Sequence, residues 1–479
     1  MKLRIISFFA LAAMAVGCSK EKLEPIPQTA LSDAVSFSDS ARCVQQVFGL
    51  YSALKAGQMY GGRYMNYQDV RGEEFINRTN NAVTNWLTWQ FNVTASTNEV
   101  QAFWAACYAA INRCNVVIDG ITKSTIRDGL KRNLLAEAKV IRGLSYFMLM
   151  QLYARPFTDG NGSKLGVILK LTPETSSGDQ NQPRATGAEV YTQILKDMNE
   201  AEADLPLTYS SAPQHRIHRN TVVALKTRVY LNMGQYANVI TEGNKLVPAA
   251  APWTAPSGVA NSLSASVATV YSSAANTENI LSMPFTALDP PGTQNGLGHY
   301  YNPGPIGGGE FALNTTGNGI FANAGWRAND ARRNFLIVNG GQTWLNKWPS
   351  AQNAADPAQV IRYAEVMLNL AEALARQAAG TSVDARALAL LNAIRKRSDP
   401  TIADFAPATK DELISLILTE RRIELLGEGF RTSDVARLGQ PFAAKGTVPS
   451  VAFNSDPYIW PISLAELLVN KACQQNPGY

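Results

Sequence analysis

The stretch 134–153, LLAEAKVIRGLSYFMLMQLY, constrains the fold more than any other part of the chain. Leu134, Leu135, Ala138, Ile141, Leu144, Ser145, Met148, Leu149 and Leu152 recur at three- and four-residue steps, the period of an α-helix. Toward Tyr153 the apolar residues run nearly all round, so the helix is buried on most faces. Glu137, Lys139, Arg142 and Gln151 interrupt the apolar surface, and a membrane span accommodates such groups poorly. The stretch therefore reads as the core helix of a soluble fold. Pro156 ends it, because a proline cannot donate the next helical hydrogen bond.

Shorter amphipathic helices flank this one. Ser38 or Asp39 caps one over 39–56. A second covers 99–120, with Phe103, Trp104, Tyr108, Ile111 and Val117 on its buried side, and a third covers 188–204. Residues 221–246 read as a helical hairpin turning at Gly234-Gln235-Tyr236, and 365–397 gives a similar one. Small and aromatic residues at close-packing positions, followed by a Gly-x-Tyr turn, resemble a tetratricopeptide repeat, although the unequal spacing excludes a regular solenoid. Residues 411–438 add a helix carrying Glu420, Arg421, Arg422 and Glu424, ended by Gly427 and Gly429. Between the hairpins, 248–357 shows little periodicity and is rich in Gly, Asn, Pro and Ser, with aromatics from Trp253 to Trp348. A structureless run that long is unusual in a compact domain unless it is functional. It is expected to form an insert of loops and short strands carried by a scaffold of 39–247 and by C-terminal hairpins and a tail over 358–479.

With 46% hydrophobic and 17% charged residues, the 479-residue chain can build a sizeable core. Its net charge of +5 includes Lys2 and Arg4, and no Lys/Arg block stands out, so a nucleic-acid partner is excluded. Residues 1–17 read as an export signal: two cations, then a short apolar run. The ending Ala15-Val16-Gly17-Cys18 resembles the bacterial lipobox, which implies cleavage before Cys18 and acylation of its thiol. Each buried methylene then adds roughly 0.8 kcal/mol to membrane anchoring. Residues 18–38 are expected to be the lipidated cysteine and a tether, extended where Pro25 and Pro27 interrupt a polar run.

Several pieces, in this order, resemble the SusD/RagB family of outer-membrane lipoproteins. They are Cys18 after an export signal; Glu137-Ala138 to Tyr146-Phe147 with Leu152-Tyr153; Arg362-Tyr363-Ala364-Glu365 with Glu372-Ala373; Leu391-Asn392 with Ile394-Arg395; Glu420-Arg421-Arg422 with Glu424-Leu425; Gly427-Glu428-Gly429-Phe430-Arg431 with Asp434; and the ending Gln475-Asn476-Pro477-Gly478-Tyr479. The resemblance implies a mainly α fold, with tetratricopeptide-like hairpins supporting the irregular, loop-rich insert. It also implies a protein that catalyses nothing. Such a protein captures a nutrient, usually an oligosaccharide, at the cell surface and passes it to a SusC-like TonB-dependent outer-membrane transporter. Two alternatives remain: capture of a peptide, and a structural lid or docking partner of the transporter. Calcium stays open as an auxiliary ion, and no other cofactor is implied.

The inventory of reactive groups agrees. His215-x-x-His218 could place two imidazoles on one helix face but lacks the Glu of a zinc hydrolase, so the pair is read as a solvated loop rather than a metal site. Gly317-x-Gly319-x-x-Ala322 lacks a strand-then-helix context and is not a dinucleotide fingerprint. Glu420 and Glu424 share a helix face with arginines nearby, the pattern of ion pairs rather than of a glycosidase pair. Cys107 and Cys114 lie about 10 Å apart along a helix, beyond disulfide reach. Buried free thiols are the simpler reading, with pairs to Cys43 or Cys473 left open.

A sugar presents flat C–H faces to aromatic rings and hydroxyls to amides, carboxylates and guanidinium groups. Two irregular regions supply both kinds of group. The first holds Asn80, Asn81, Trp86 and Trp89; the second holds Tyr300, Tyr301, Trp326, Arg327 and Asp330. Trp326 is the leading candidate because Gly325 and the polar run after it suggest an exposed loop. Tyr300 and Tyr301, between Gly298 and Pro303, follow.

Overall fold

The computed structural model describes residues 33–176, 178, 181–351 and 355–479. The export signal, the lipidation expected at Cys18 and the tether up to residue 32 lie outside the described residues. The last part of the expected tether already belongs to the packed structure: Asp33–Ser36 forms one helical turn, and the Phe37 ring lies directly over Gly120.

The central helix, longer than its apolar pattern, runs Asp128–Tyr153, and Ala154 is extended ahead of Pro156. Every residue from Ala136 to Met150 is buried except Lys139. The polar residues that break its apolar surface tie it to its neighbours. Glu137, fully buried, accepts Arg216 Nε and Nη2 at 2.8 and 2.7 Å and the Tyr51 hydroxyl at 2.6 Å. Arg142 donates to both Asp197 oxygens and to Asn115 Oδ1 at 2.9 Å.

In chain order the long helices are α1 (Ser40–Leu54), α2 (Arg63–Val70), α3 (Asn98–Lys123), α4, the central helix, then α5 (Gly187–Asp204), α6 (Arg219–Asn232), α7 (Tyr236–Leu246), α8 (Tyr363–Gln377), α9 (Ala385–Ser398), α10 (Lys410–Glu424) and α11 (Arg431–Arg437). Asp39 caps α1, its carboxylate accepting the Arg42 N–H at 2.9 Å. From α3 to α9 each helix packs on the next, and α1 covers α3 and α4. Short connections make α3–α4, α6–α7 and α8–α9 antiparallel hairpins. At the Gly234-Gln235-Tyr236 turn Gly234 has φ +71°, a left-handed conformation that suits glycine. Among the described residues, no helix is long and apolar enough to cross a membrane.

The aperiodic stretch contributes short strands, as its sequence suggests, and two of them pair outside it. β1 (Phe75–Asn77) pairs antiparallel with β3 (Phe311–Leu313), β2 (Asn279–Met283) with β6 (Ala358–Arg362), and β4 (Leu336–Asn339) with β5 (Gln342–Leu345). The insert is also pinned to the C-terminal helices by a buried ionic network. Arg362, at the end of β6, donates to Glu278, Glu424 and Glu428, while Arg332 and Arg397 also hold Glu424. Glu420 and Glu424 are therefore members of buried ion pairs. Burial opposes ionisation of Glu424, but Arg397, Arg362 and Arg332 more than offset it and hold its carboxyl well below the usual range.

One reading needs correcting here, and the reading of the cysteines as buried free thiols holds. His218 is not solvated: it is wholly buried at the start of α6, and burial presses its imidazole down to about 4. Its backbone N–H is capped by the Thr221 hydroxyl of the first helical turn at 3.3 Å. Cys43, Cys107, Cys114 and Cys473 are all free and buried, which resolves the pairing left open by their spacing.

Candidate ligand-binding face

The two irregular regions meet around Glu310, just before β3. Thr79 donates its hydroxyl to Glu310 Oε2, Asn81 Nδ2 lies 3.5 Å from Oε1, and His299 Nε2 stands 3.7 Å from Oε1. Burial disfavours the charged carboxylate, yet His299, Thr79 and Thr84 hold Glu310 below its ordinary range. Asn80 has a left-handed backbone, φ +53°, with its N–H on Asn77 Oδ1 at 2.8 Å, and its side chain is exposed. Asn81 caps the next turn by accepting the Val83 N–H at 3.0 Å. The segment is held to the insert by Arg63, which donates to Asn295 Oδ1 at 2.5 Å and to the Val83 carbonyl at 2.8 Å. Gly62 lets this contact form: a Cβ there would fall 2.1 Å from the Asn295 carbonyl oxygen.

A cleft of about 460 Å³ opens beside this junction, between loop 285–299 and residues 348–358. Ala287 and Pro290 give it exposed apolar surface over the buried Phe285, Pro291 and Trp348, and Gln294, His299 and Asp356 give it polar groups. Asp356 is half-buried, and burial pushes its carboxyl up to about 6 although the Ser350 N–H donates to it at 2.8 Å. Phe285, Pro291, Gln294 and Asp356 were not singled out from sequence. The Pro290-Pro291-Gly292 turn was the one local signal there, and it marks a bend without saying what lines it.

The aromatic candidates fare differently. Trp326 is not in an exposed ring position: it is 2% exposed, with Phe321 at 6.3 Å and the Arg333 guanidinium 4.7 Å from its ring centre. Tyr300 and Tyr301 are fully buried. The Tyr300 hydroxyl donates to the Gln294 carbonyl at 2.8 Å, and the Tyr301 ring stacks on Phe75 at 4.6 Å. Trp89 is 4% exposed and donates its indole N–H to the Phe75 carbonyl at 2.9 Å. The reason is common to all four. A region of loops and one-turn helices, such as Trp86–Trp89 and Leu297–Tyr301, is fixed by burying its largest apolar side chains, and an aromatic side chain buries about 150–250 Å². Trp86 alone among these aromatics is only half-buried. Arg327 is exposed but paired with Asp399 at 3.2 Å, and Asp330 is buried under Arg332. Trp326, Arg327 and Asp330 thus pack toward α9 and α10, whereas Asn81 meets Glu310, which also faces His299 of the cleft. No group of three or more His, Cys, Asp or Glu that could hold a metal ion occurs among the described residues.

Glu99 is wholly buried in the first turn of α3, and the Thr88 hydroxyl donates to it. Burial pushes its carboxyl up to about 7, against the Thr88 hydrogen bond and the Arg63 charge. A carboxyl raised on folding stabilises the fold fully below its unfolded value of about 4.5, and the contribution is lost as pH rises through about 7. Glu99→Gln stays neutral, so it is expected to flatten the fall in stability between about pH 5 and pH 8. The gain over wild type at the upper end is about 1–3 kcal/mol. Urea midpoints at both pH values check this, and parallel profiles would exclude Glu99 as the source.

Two known families match the chain. One, described as "Starch-binding associating with outer membrane", matches residues 27–231. The other, the SusD family, matches residues 313–479. SusD-like protein P2 of Formosa agariphila is 25% identical over the whole of both chains. The crystal structure of a SusD superfamily protein from Bacteroides fragilis is 29% identical, with a TM-score of 0.81 over 92% of this chain and all of that one. A laminarin-binding SusD-like protein, 21% identical, shares the fold with a TM-score of 0.73 over 92% of this chain and all of its own.

Proposed function

This chain belongs to the SusD/RagB family of non-catalytic binding proteins, and from that premise we propose that it captures an oligosaccharide and delivers it to a SusC-like TonB-dependent transporter. The proposal places the protein at the outer membrane, anchored through Cys18 and facing the exterior. The starch-binding description of the family matched over 27–231 supports a glycan as cargo, and the laminarin-binding protein of the same fold is a second support.

The observation that carries the reading is the chemistry of the cleft beside Glu310. Its exposed apolar surface is Ala287 and Pro290, laid over a buried phenyl ring and indole, and its polar groups are an amide, an imidazole and one carboxyl. Apolar walls accept the C–H faces of a pyranose, and a few fixed donors and acceptors select its hydroxyls. Asn81 extends the same face past His299 and Glu310. Tyr300, Tyr301 and Trp89 support this face from below, while Trp326 packs elsewhere, toward α9 and α10.

Affinity electrophoresis in gels containing starch, laminarin or other neutral glycans tests the proposal. Retardation by at least one glycan is expected, with at least a tenfold weaker affinity in His299→Ala or Gln294→Ala at an unchanged melting temperature. Retardation by none, or undiminished retardation of both variants, would overturn capture at this cleft. Copurification with the transporter would then support the docking role that helical hairpins commonly serve.

A further inference from the structure

A second cleft, of about 560 Å³, lies where residues 155–165 and Arg184 face residues 453–459 and the tail residues 475–477. It differs chemically from the first. Arg155, Lys164 and Arg184 line it against Asp159 and Asp456, so cations exceed carboxylates.

The two guanidinium groups are fixed before any ligand arrives. Arg155 donates its Nε–H to Asp159 at 2.7 Å, and its guanidinium lies 4.5 Å from the Phe453 ring centre and 5.0 Å from that of Tyr458. Neither of its Nη nitrogens has an acceptor among the described residues. Arg184 is 7% exposed and has no carboxylate partner among the described residues. It donates only to neutral oxygens: Gly166 O at 2.7 Å, Gln474 O at 3.1 Å, Asn476 Oδ1 at 2.8 Å and Leu165 O at 3.2 Å. That leaves one Nη2 N–H and a whole positive charge uncompensated, and burial presses the group down to about 10. Lys164 is exposed beside them. Asp159 is already engaged by Arg155, and the Asp456 carboxyl lies against Gly478, where a Cβ would fall 2.2 Å from it.

A pre-positioned pair of guanidinium groups with unused N–H donors recognises planar or tetrahedral oxyanions through paired, charge-assisted hydrogen bonds. A neutral sugar would leave the Arg184 charge as uncompensated as it is now, so neutral cargo does not explain this lining. We propose that this cleft is a second saccharide site, selective for sugars that carry a carboxylate or a sulfate, with Arg155, Arg184 and Lys164 as its anion-recognising groups. The proposal rests on the reading of the protein as a glycan binder, but it uses a different cleft and different residues.

Calorimetric titration of the full chain tests it with three oligosaccharides of equal length: oligogalacturonate, a sulfated galactan fragment, and the same galactan desulfated. At least one acidic oligosaccharide is expected to bind at least tenfold more tightly than the neutral one, and the stronger of the two identifies carboxylate or sulfate as the preferred group. Arg155→Gln and Lys164→Glu are each expected to weaken that binding at least fivefold. Lys164 is exposed, so its variant changes charge without disturbing packing. His299→Ala is expected to leave acidic binding unchanged. Equal binding of acidic and neutral oligosaccharides, undiminished binding by both cleft variants, or loss in His299→Ala would each overturn the proposal. Acidic binding that depends on Lys164 in a protein that retains no neutral glycan would uphold this site and count against the first cleft alone.

Discussion

Replacing Arg362 with methionine is expected to destabilise the fold by about 3–5 kcal/mol, enough to move a urea midpoint far outside error. All five N–H groups of Arg362 are used: Nε on Glu428 Oε2 at 2.7 Å, Nη1 on Glu278 and Glu424 at 2.6 Å each, and Nη2 on the Glu424 carbonyl at 2.8 Å and Glu428 Oε1 at 2.9 Å. The three carboxylates it serves are at most 3% exposed, so water cannot replace it. Methionine fills much of the same volume but leaves Glu278 and Glu424 to Arg397 and Arg332, and Glu428 to Lys347. Removing one partner from a buried ionic cluster costs more than the cluster contributes when complete, because the remaining charges stay desolvated. Arg362→Lys, which keeps the charge but not the fork, is expected to lie between wild type and Arg362→Met. Lys123→Ala is the comparison: its pair with Asp119 at 2.7 Å is exposed, and its loss is expected to cost roughly 0.5 kcal/mol or less. Equal effects from Arg362→Met and Lys123→Ala would show that the network does not hold the insert on α10.

What sequence made legible, and what it hid, follows from periodicity. The central helix could be recognised because its apolar residues repeat at the helical step. Even its polar interruptions carried meaning, since Glu137 and Arg142 became ties to neighbouring helices. The hairpin at Gly234 was legible because its turn needs a positive φ. The insert offered no such repeat, so an aromatic residue there revealed its size but not its direction. Trp326 between Gly325 and a polar run looks identical as letters whether its ring faces solvent or, as here, the Arg333 guanidinium. The cleft lining at Phe285, Gln294 and Asp356 stayed hidden for a second reason: it is assembled across residues 285–299 and 348–358, and no local pattern announces that juxtaposition. His218 followed the same logic, since a helix-start position can face the core as easily as the solvent.

Trp460→Ala is the other substitution expected to have a large effect, about 3–5 kcal/mol from the cavity alone. Trp460 is 1% exposed and meets three rings edge to face: Tyr67 at 4.9 Å, Tyr153 at 5.6 Å and Phe103 at 6.3 Å. Each such pair adds about 0.5–1.5 kcal/mol beyond buried area. The cluster joins α2, α3 and the end of α4 to the C-terminal tail, where the Trp460 backbone N–H donates to the Leu152 carbonyl at 2.7 Å. Asn476 reinforces the joint by donating to the Trp460 carbonyl at 2.7 Å and the Tyr153 carbonyl at 2.8 Å, and its side-chain oxygen receives Arg184. A void under Trp460 therefore loosens the tail that positions Arg184, as well as removing packing. Leu468→Ala, at a 62% exposed position on the same tail, is expected to stay within about 0.5 kcal/mol of wild type. Denaturant titration of both variants decides the matter. A Trp460→Ala shift as small as that of Leu468→Ala would mean that the tail is held by its amide and guanidinium bonds rather than by the aromatic cluster. A large shift, accompanied by faster hydrogen exchange at 474–476 than at α6, would locate the loss in the tail, as the shared contacts of Trp460 and Asn476 require.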